Sequence, residues 1–281
     1  MKRALRLLAG FLAIVPAACS PAGLVNLVVP RAGYHIVRDL AYGADPRQKL
    51  DLYIPDRHAG SASVLLFFYG GAWDSGNKSD YLAFGQAFAS QGMIVAIADY
   101  RLYPQIRFPA FVADAAQALV YLHAQIGRHG GDPARIFIAG HSAGAYNAMM
   151  LAADPHYVRD AGGEPDWIRG VIGIAGPYDF LPLIDPKLIT IFGGDNRAQT
   201  QPITHVDGKR PPMLLAAGAA DTTVSPRNSI NLAAKLKSFD SPVETRIYPG
   251  VGHIGIILSL APGFRGLTPL RQDMLDFVAA H

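Results

Sequence analysis

Gly140-His141-Ser142-Ala143-Gly144 sets a serine between glycines placed two residues before and two residues after it. At this G-x-S-x-G spacing a sharp turn can raise a serine oxygen out of the backbone as a nucleophile. The pattern is weak by itself in a chain with 29 glycines, and its setting strengthens it. The apolar run Ile136-Phe-Ile-Ala139 leads straight into the turn, and a helix-forming run starts at once after it. Such a strand-to-helix crossing crowds the backbone, and glycine on either side tolerates the crowding. The helix N-terminus then favours negative charge nearby. The bland alternative is a Gly-rich turn whose serine caps a helix.

A serine hydroxyl needs a base within hydrogen-bond reach and an acid that orients the base. Of the nine histidines, His141 lies inside the turn and is expected to point elsewhere. His35, His58, His123, His129, His156, His205 and His281 sit beside strands, within a helix, in loops or at the end of the chain. His253, in Gly250-Val-Gly-His253-Ile-Gly255, directly follows the last strand-like run, where a base belongs if the order is serine, acid, histidine. For the acid, Asp221 follows the run Met213 to Ala217 through Gly218-Ala-Ala, and it is favoured over Asp179, which follows the run ending at Ala175. Backbone N–H donors for a developing oxyanion can come from a glycine-rich turn after a neighbouring strand, and Tyr69-Gly70-Gly71-Ala72-Trp73 is such a turn.

The elements that must hold these groups alternate from Tyr34 onward. Lys49–Ile54 alternates apolar and polar residues, as a half-exposed strand does. Ser63–Tyr69, Met93–Ala98, Arg135–Ala139, Gly170–Ala175 and Pro212–Ala217 are short continuous apolar runs, suited to strands covered on both faces. Val243–Tyr248 is more polar and is expected nearer an edge. Helical spacing marks Phe111–Ile126, Ala143–Ala153, Pro226–Phe239 and Leu267–Ala280. The alternation predicts an α/β fold with a doubly wound, mostly parallel sheet. Residues 177–209, irregular with Pro182, Pro186 and Gly193-Gly194, read as a short lid-like insertion. Its stretch Phe180–Phe192 is apolar enough for a lipase-type lid, or for a helix packed into the core beside the pocket.

These features together resemble the α/β-hydrolase fold, in the branch of hormone-sensitive-lipase-like carboxylesterases with an HGG-type oxyanion loop. The resemblance covers about Lys49 to His281, and includes Asp99-Tyr-Arg-Leu-Tyr-Pro104 and Gly131-Asp-Pro-Ala-Arg135. It implies Ser142 as nucleophile, His253 as general base and then acid, and Asp221 as orienting carboxylate. It further implies an oxyanion hole of the backbone N–H groups of Gly71, Ala72 and Ala143. Tyr69 departs from the family's usual histidine, a side chain that braces the loop. Ala72 replaces a third glycine; its methyl group, with Trp73, would narrow the acyl side. The Gly-Gly-Ala-Trp stretch followed by Asn77-Lys-Ser-Asp-Tyr81 also resembles arylformamidases. The function implied is a serine carboxylesterase acting on small to medium acyl esters through an acyl-enzyme, with no cofactor and no metal. An arylformamidase-like amidase is the alternative, and a non-catalytic binding protein on the same scaffold is the alternative from another class.

Composition agrees with a globular domain: 50% of the 281 residues are apolar and 17% charged, which excludes disorder for the bulk of the chain. The 25 basic residues are scattered, so no nucleic-acid partner is expected. Cys19 is the single cysteine, which excludes an internal disulfide and a Cys-based zinc site. Lys2, Arg3 and Arg6, the apolar run Leu7–Val15 and Pro16-Ala-Ala-Cys19 are laid out as an export signal. Residues 1–18 are thus expected to be a signal peptide, with 19–33 a tether or N-terminal arm and 34–281 the hydrolase domain. Cys19 stands where a bacterial lipobox ends, although Pro16 departs from the aliphatic residue usual there. The expected location is the cell envelope, as a lipoprotein anchored through Cys19, or else periplasmic or secreted.

Overall fold

The computed structural model describes residues 25–57 and 60–281. The signal-like segment 1–18, Cys19 and His58 lie outside the described residues. Eight strands form one sheet: β1 (Tyr34–Ala41), β2 (Lys49–Pro55), β3 (Ala62–Phe68), β4 (Ile94–Ala98), β5 (Gly131–His141), β6 (Ile168–Ile174), β7 (Met213–Gly218) and β8 (Val243–Tyr248). Their spatial order is β1-β2-β4-β3-β5-β6-β7-β8. From β4 to β8 every pairing is parallel, and β2 runs against both of its neighbours. This is the expected doubly wound, mostly parallel sheet, with β8 at the edge.

Helices cover both faces, as parallel strands require. In chain order they are α1 (Leu82–Ala89), α2 (Ala110–Gln125), α3 (Ala143–Ala153), α4 (His156–Asp160), α5 (Pro186–Phe192), α6 (Arg227–Lys237), α7 (His253–Leu258) and α8 (Leu270–Ala280). The continuous apolar runs of β3, β4 and β5 are buried. α3 is buried at every position, against β5, β6 and β3, which explains its Ala- and Met-rich composition: small and adaptable side chains let a helix lie close to a sheet.

One expectation fails. Lys49–Ile54 reads as a half-exposed strand, yet β2 is buried from Leu50 to Pro55. The polar position that suggested a wet face, Asp51, is fully buried because its charge is matched. Lys78 Nζ lies 2.8 Å from one carboxylate oxygen, and Arg38 Nη1 donates to the other at 3.1 Å. The Asp39 N–H donates to the oxygen facing Lys78, at 2.9 Å. A paired carboxylate is one of the few charges that a protein interior accepts. β1, which the sequence pattern misses, covers this side of β2.

Residues 177–209 contain α5 and two 3-10 turns, Ala198–Thr200 and Pro202–His205. Asp185 caps α5: its side chain accepts from the N–H groups of Lys187 and Leu188. Its buried residues, Ile191 and Phe192, face the core, while Ile184 is 89% exposed. Residues 25–33 lie on the domain: Val29 is buried, and Asn26 Nδ2 donates to the Ser79 carbonyl at 2.8 Å.

Candidate active site

Register brings the relevant strand ends level. Phe68 at the end of β3 pairs with Gly140 of β5, Gly140 pairs with Gly173 of β6, and Gly218 of β7 pairs with Tyr248 of β8. The loops that leave these ends carry the groups singled out by sequence.

Ser142 stands between β5 and α3 with φ 54° and ψ −123°, a conformation that L-residues rarely adopt. The flanking glycines are there for space. A Cβ on Gly140 would lie 2.2 Å from the Gly144 carbonyl oxygen, and a Cβ on Gly144 would lie 2.0 Å from that of Phe68. The first backbone bond of α3 runs from the Tyr146 N–H to the Ser142 carbonyl at 3.1 Å. The N–H of Ala143 therefore has no partner within the helix.

His253 opens α7, and its ring meets both other members. The Ser142 hydroxyl donates to His253 Nε2 at 2.9 Å, and His253 Nδ1–H donates to Asp221 Oδ2 at 2.8 Å. The other Asp221 oxygen accepts from the N–H groups of Thr223 and Val224, both at 2.9 Å. One oxygen is thus fixed by the loop, and the second is aimed at the histidine. The rival acid is engaged elsewhere: Asp179 Oδ2 accepts from Asn231 Nδ2 at 2.8 Å. Five other described histidines are placed elsewhere. His35 faces Asp56, His156 and His205 face Asp154, and His123 stacks on Trp167. His281 packs against Phe277.

The turn after β3 closes the near side of the serine: a Cβ on Gly70 would lie 2.9 Å from Ser142 Cβ. Gly71, Ala72 and Trp73 all have positive φ, and the Gly71 carbonyl accepts from the N–H groups of Asp74 and Ser75. Among the described residues the N–H groups of Gly71 and Ala72 donate to no protein acceptor. These two N–H groups and that of Ala143 are the ones expected from the sequence to receive an oxyanion.

Tyr69 braces this turn. Its hydroxyl donates to Asp99 Oδ1 at 2.7 Å and accepts from Arg47 Nη2 at 2.7 Å. Burial pushes the Tyr69 hydroxyl far above its usual range, and burial also raises the Asp99 carboxyl. Asp99 accepts from the Lys78 N–H as well, at 2.8 Å, and the Tyr100 hydroxyl donates to the Tyr69 carbonyl at 2.8 Å. Arg101 forms a bidentate pair with the buried Asp114 on α2. The Asp99-Tyr-Arg101 stretch therefore acts as a clamp on the oxyanion turn. The signal for it was present as a matching stretch, but its purpose was not legible before the fold was known.

Trp73 is 3% exposed. Its Nε1–H donates to Asn147 Oδ1 on α3 at 3.0 Å, and its ring meets Phe111, Tyr146 and Phe192. The insertion thereby contributes Phe192 to an aromatic wall behind the oxyanion turn. Lys187 on α5 reaches Asp74 Oδ2 at 2.5 Å, tying the same insertion to the turn on the outside.

Serine on a strand-to-helix elbow, then acid, then histidine, all beyond the carboxyl ends of the strands of a mostly parallel eight-stranded sheet, is the arrangement of the α/β-hydrolase class. Residues 50–236 match the BD-FAE family, and the chain belongs to that family, an α/β-hydrolase carboxylesterase family. It is 29% identical over 269 residues to a probable isoprenylcysteine alpha-carbonyl methylesterase, ICMEL1, of Arabidopsis thaliana, covering 87% of this chain and 56% of the relative. It is 30% identical over 237 residues to esterase LipC of Mycobacterium tuberculosis, covering 77% and 59%. The chain thus spans a little over half the length of these relatives. Among solved structures, a truncated carbohydrate esterase from gut microbiota superposes with TM-score 0.78 at 20% identity, covering 89% of this chain and 98% of that one. Esterase B of Lactobacillus rhamnosis gives 0.78 at 20%, covering 92% and 90%. At this identity the two structures speak to the fold.

Proposed function

We propose that the protein is a serine carboxylesterase that hydrolyses small to medium acyl esters through an acyl-enzyme. The observation that carries this reading is the unbroken chain of hydrogen bonds from Ser142 through His253 to Asp221. Ser142 Oγ attacks the ester carbonyl while His253 Nε2 takes its proton, and Asp221 stabilises the imidazolium. The oxyanion is received by the N–H groups of Gly71, Ala72 and Ala143. His253 returns its proton to the leaving alcohol, and water then repeats the sequence on the acyl-enzyme. The family, and relatives named esterase and methylesterase, support an ester substrate. The aromatic wall that holds Trp73 supports an acyl group of modest length. The complete set of three groups favours catalysis over a binding scaffold. Residues 177–209 act as a lid-like wall of the site within the domain 34–281. The export layout of residues 1–18 supports delivery to the cell envelope, with Cys19 as the candidate lipid attachment point and 19–33 as the arm.

The test is turnover of p-nitrophenyl esters of increasing acyl length and of N-formylkynurenine, with Ser142→Ala beside the wild type. Ester turnover that falls with chain length, and drops by at least about 10³-fold in Ser142→Ala, is expected. Preference for N-formylkynurenine would move the protein to the amidases. Residual turnover near wild type in Ser142→Ala would refute the nucleophile.

A further inference from the structure

His141 immediately precedes the serine. Its ring leaves the end of β5 and meets the start of α7, 112 residues further along the chain: Nε2 lies 3.1 Å from the backbone carbonyl oxygen of His253. The two imidazole rings are 4.8 Å apart between centroids, inclined at 40°. His141 is buried, and its Nδ1 has no hydrogen-bond partner among the described residues. That nitrogen faces the oxyanion turn, where a Cβ on Gly70 would come within 3.0 Å of it.

A carbonyl oxygen can only accept, so Nε2 must carry the proton and Nδ1 is a bare lone pair. We propose that His141 is a positioning residue, an Nε2–H donor that fixes the backbone of His253 and so holds the base in line with Ser142. The inference rests on the assignment of Ser142, His253 and Asp221 as the reacting set.

The need for such an anchor follows from the local sequence. His253 comes after Gly250-Val251-Gly252; Gly250 has φ +70°, and a Cβ on it would meet nothing within 4 Å. Glycine on both sides of Val251 leaves this segment little stiffness of its own. Two contacts, one from the loop after β7 and one from the end of β5, restrain it. The Ala220 N–H donates to the Val251 carbonyl at 3.0 Å, and His141 holds the His253 carbonyl. Asp221 orients the far end of the imidazole, and His141 fixes the end attached to the chain. Neutrality is part of the role, because an imidazolium this close would oppose the charge that His253 must acquire. The titratable group facing His141 is His253 itself, and Gly70 on the opposite side carries no charge. Burial, reinforced by His253, lowers the His141 pKa to about 3.

Two measurements test this on the whole protein. Long-range ¹H–¹⁵N NMR of the histidine rings should show His141 as the neutral Nε2–H tautomer from about pH 8 to about pH 5. An Nδ1–H tautomer, or a ring titrating near its ordinary value, would overturn the proposal. The second measurement is the rate of inactivation by a fluorophosphonate, which needs no knowledge of the natural substrate. His141→Leu removes the donor and should slow inactivation by about tenfold, the upper end of what one neutral hydrogen bond is worth. His141→Gln keeps an amide donor near the same place and should recover to within about threefold of wild type. With esters, the loss should appear in kcat and leave KM unchanged. His141→Leu at the wild-type rate, or His141→Gln as slow as His141→Leu, would overturn the role. If the wild type resists labelling at Ser142, the assignment of the reacting set has failed, and the NMR result still decides the tautomer of His141.

Discussion

Gly144→Ala should damage both stability and catalysis, and the structure gives the size of the effect. The new methyl carbon would lie 2.0 Å from the carbonyl oxygen of Phe68 and 2.5 Å from that of Tyr69. Non-bonded atoms need upwards of about 3 Å, so α3 and the end of β3 must part by about 1 Å. Neither side yields easily. Phe68 is paired to Ala98 on one flank and to Gly140 on the other, and every residue of α3 is buried. Overpacking a core ordinarily costs about 1–3 kcal/mol, and an obstacle made of backbone puts this site at about 3 kcal/mol. In a domain of this size that corresponds to a fall of roughly 6–12 °C in Tm. The same displacement moves Ser142 relative to the oxyanion turn, and a misplacement of about 1 Å can cost about 100-fold in rate. Thermal unfolding followed by circular dichroism, with kcat/KM measured well below the transition, reads both effects. Gly127→Ala is the matched control, since a Cβ there meets nothing within 4 Å, and it should stay within about 0.5 kcal/mol of wild type. If Gly144→Ala melts within about 2 °C of wild type and keeps its activity, the claim that close β3–α3 packing fixes the elbow is wrong.

Two further outcomes follow from the groups around the site. Tyr69→Phe deletes a hydroxyl that donates to the buried Asp99 and accepts from Arg47; the loss should be about 2 kcal/mol by denaturant unfolding, and an unchanged midpoint would refute the clamp. His141 makes stability depend on pH: unfolded, its imidazole takes up a proton near pH 6.5, whereas in the folded protein it does so only at about 3. The unfolded chain therefore binds one more proton in that window, and this contribution, complete above pH 6.5, is lost as pH falls, by about 1.4 kcal/mol per pH unit. Urea unfolding between about pH 6 and about pH 4 should show a flatter slope in His141→Leu than in wild type, and parallel slopes would refute the burial argument.

The elbow was legible because its cause is local. A short apolar strand, two glycines and a helix-forming run lie within about twenty residues, and the crowding they relieve is the crowding found at Gly140 and Gly144. Asp221 was favoured over Asp179 because Gly218-Ala-Ala-Asp221-Thr-Thr-Val224-Ser-Pro resembles the acid loop of this fold. What escaped the sequence depends on partners far along the chain. Asp51 looked like a solvent-facing position because Lys78 and Arg38, which neutralise it, come from a 3-10 turn (Lys78–Tyr81) and from β1, which the alternation of β2 cannot reveal. The start of a helix at His253 escaped for another reason: Gly250 and Gly252 mark a loop in sequence, and the short α7 is stabilised by packing of Ile256 and not by intrinsic propensity.

His141 and His253 show most clearly where residue type stops being informative. They are chemically identical, their rings are 4.8 Å apart, and each follows a glycine, one at the end of a strand and the other at the start of a helix. One is placed to take up a proton and the other to refuse it. The difference lies in what each ring nitrogen meets. His253 Nδ1 meets a carboxylate, which stabilises the cation, and its Nε2 meets the serine. His141 Nε2 meets only a carbonyl, and its Nδ1 meets no partner in a buried setting, so a second proton there would be both desolvated and unpaired. A carboxylate brought within reach of His141, for instance by Gly70→Asp were the turn able to hold it, would make the two rings compete for the same proton. Burial keeps His141 neutral, and Gly70 leaves the space beside Nδ1 without a polar side chain that could offset it.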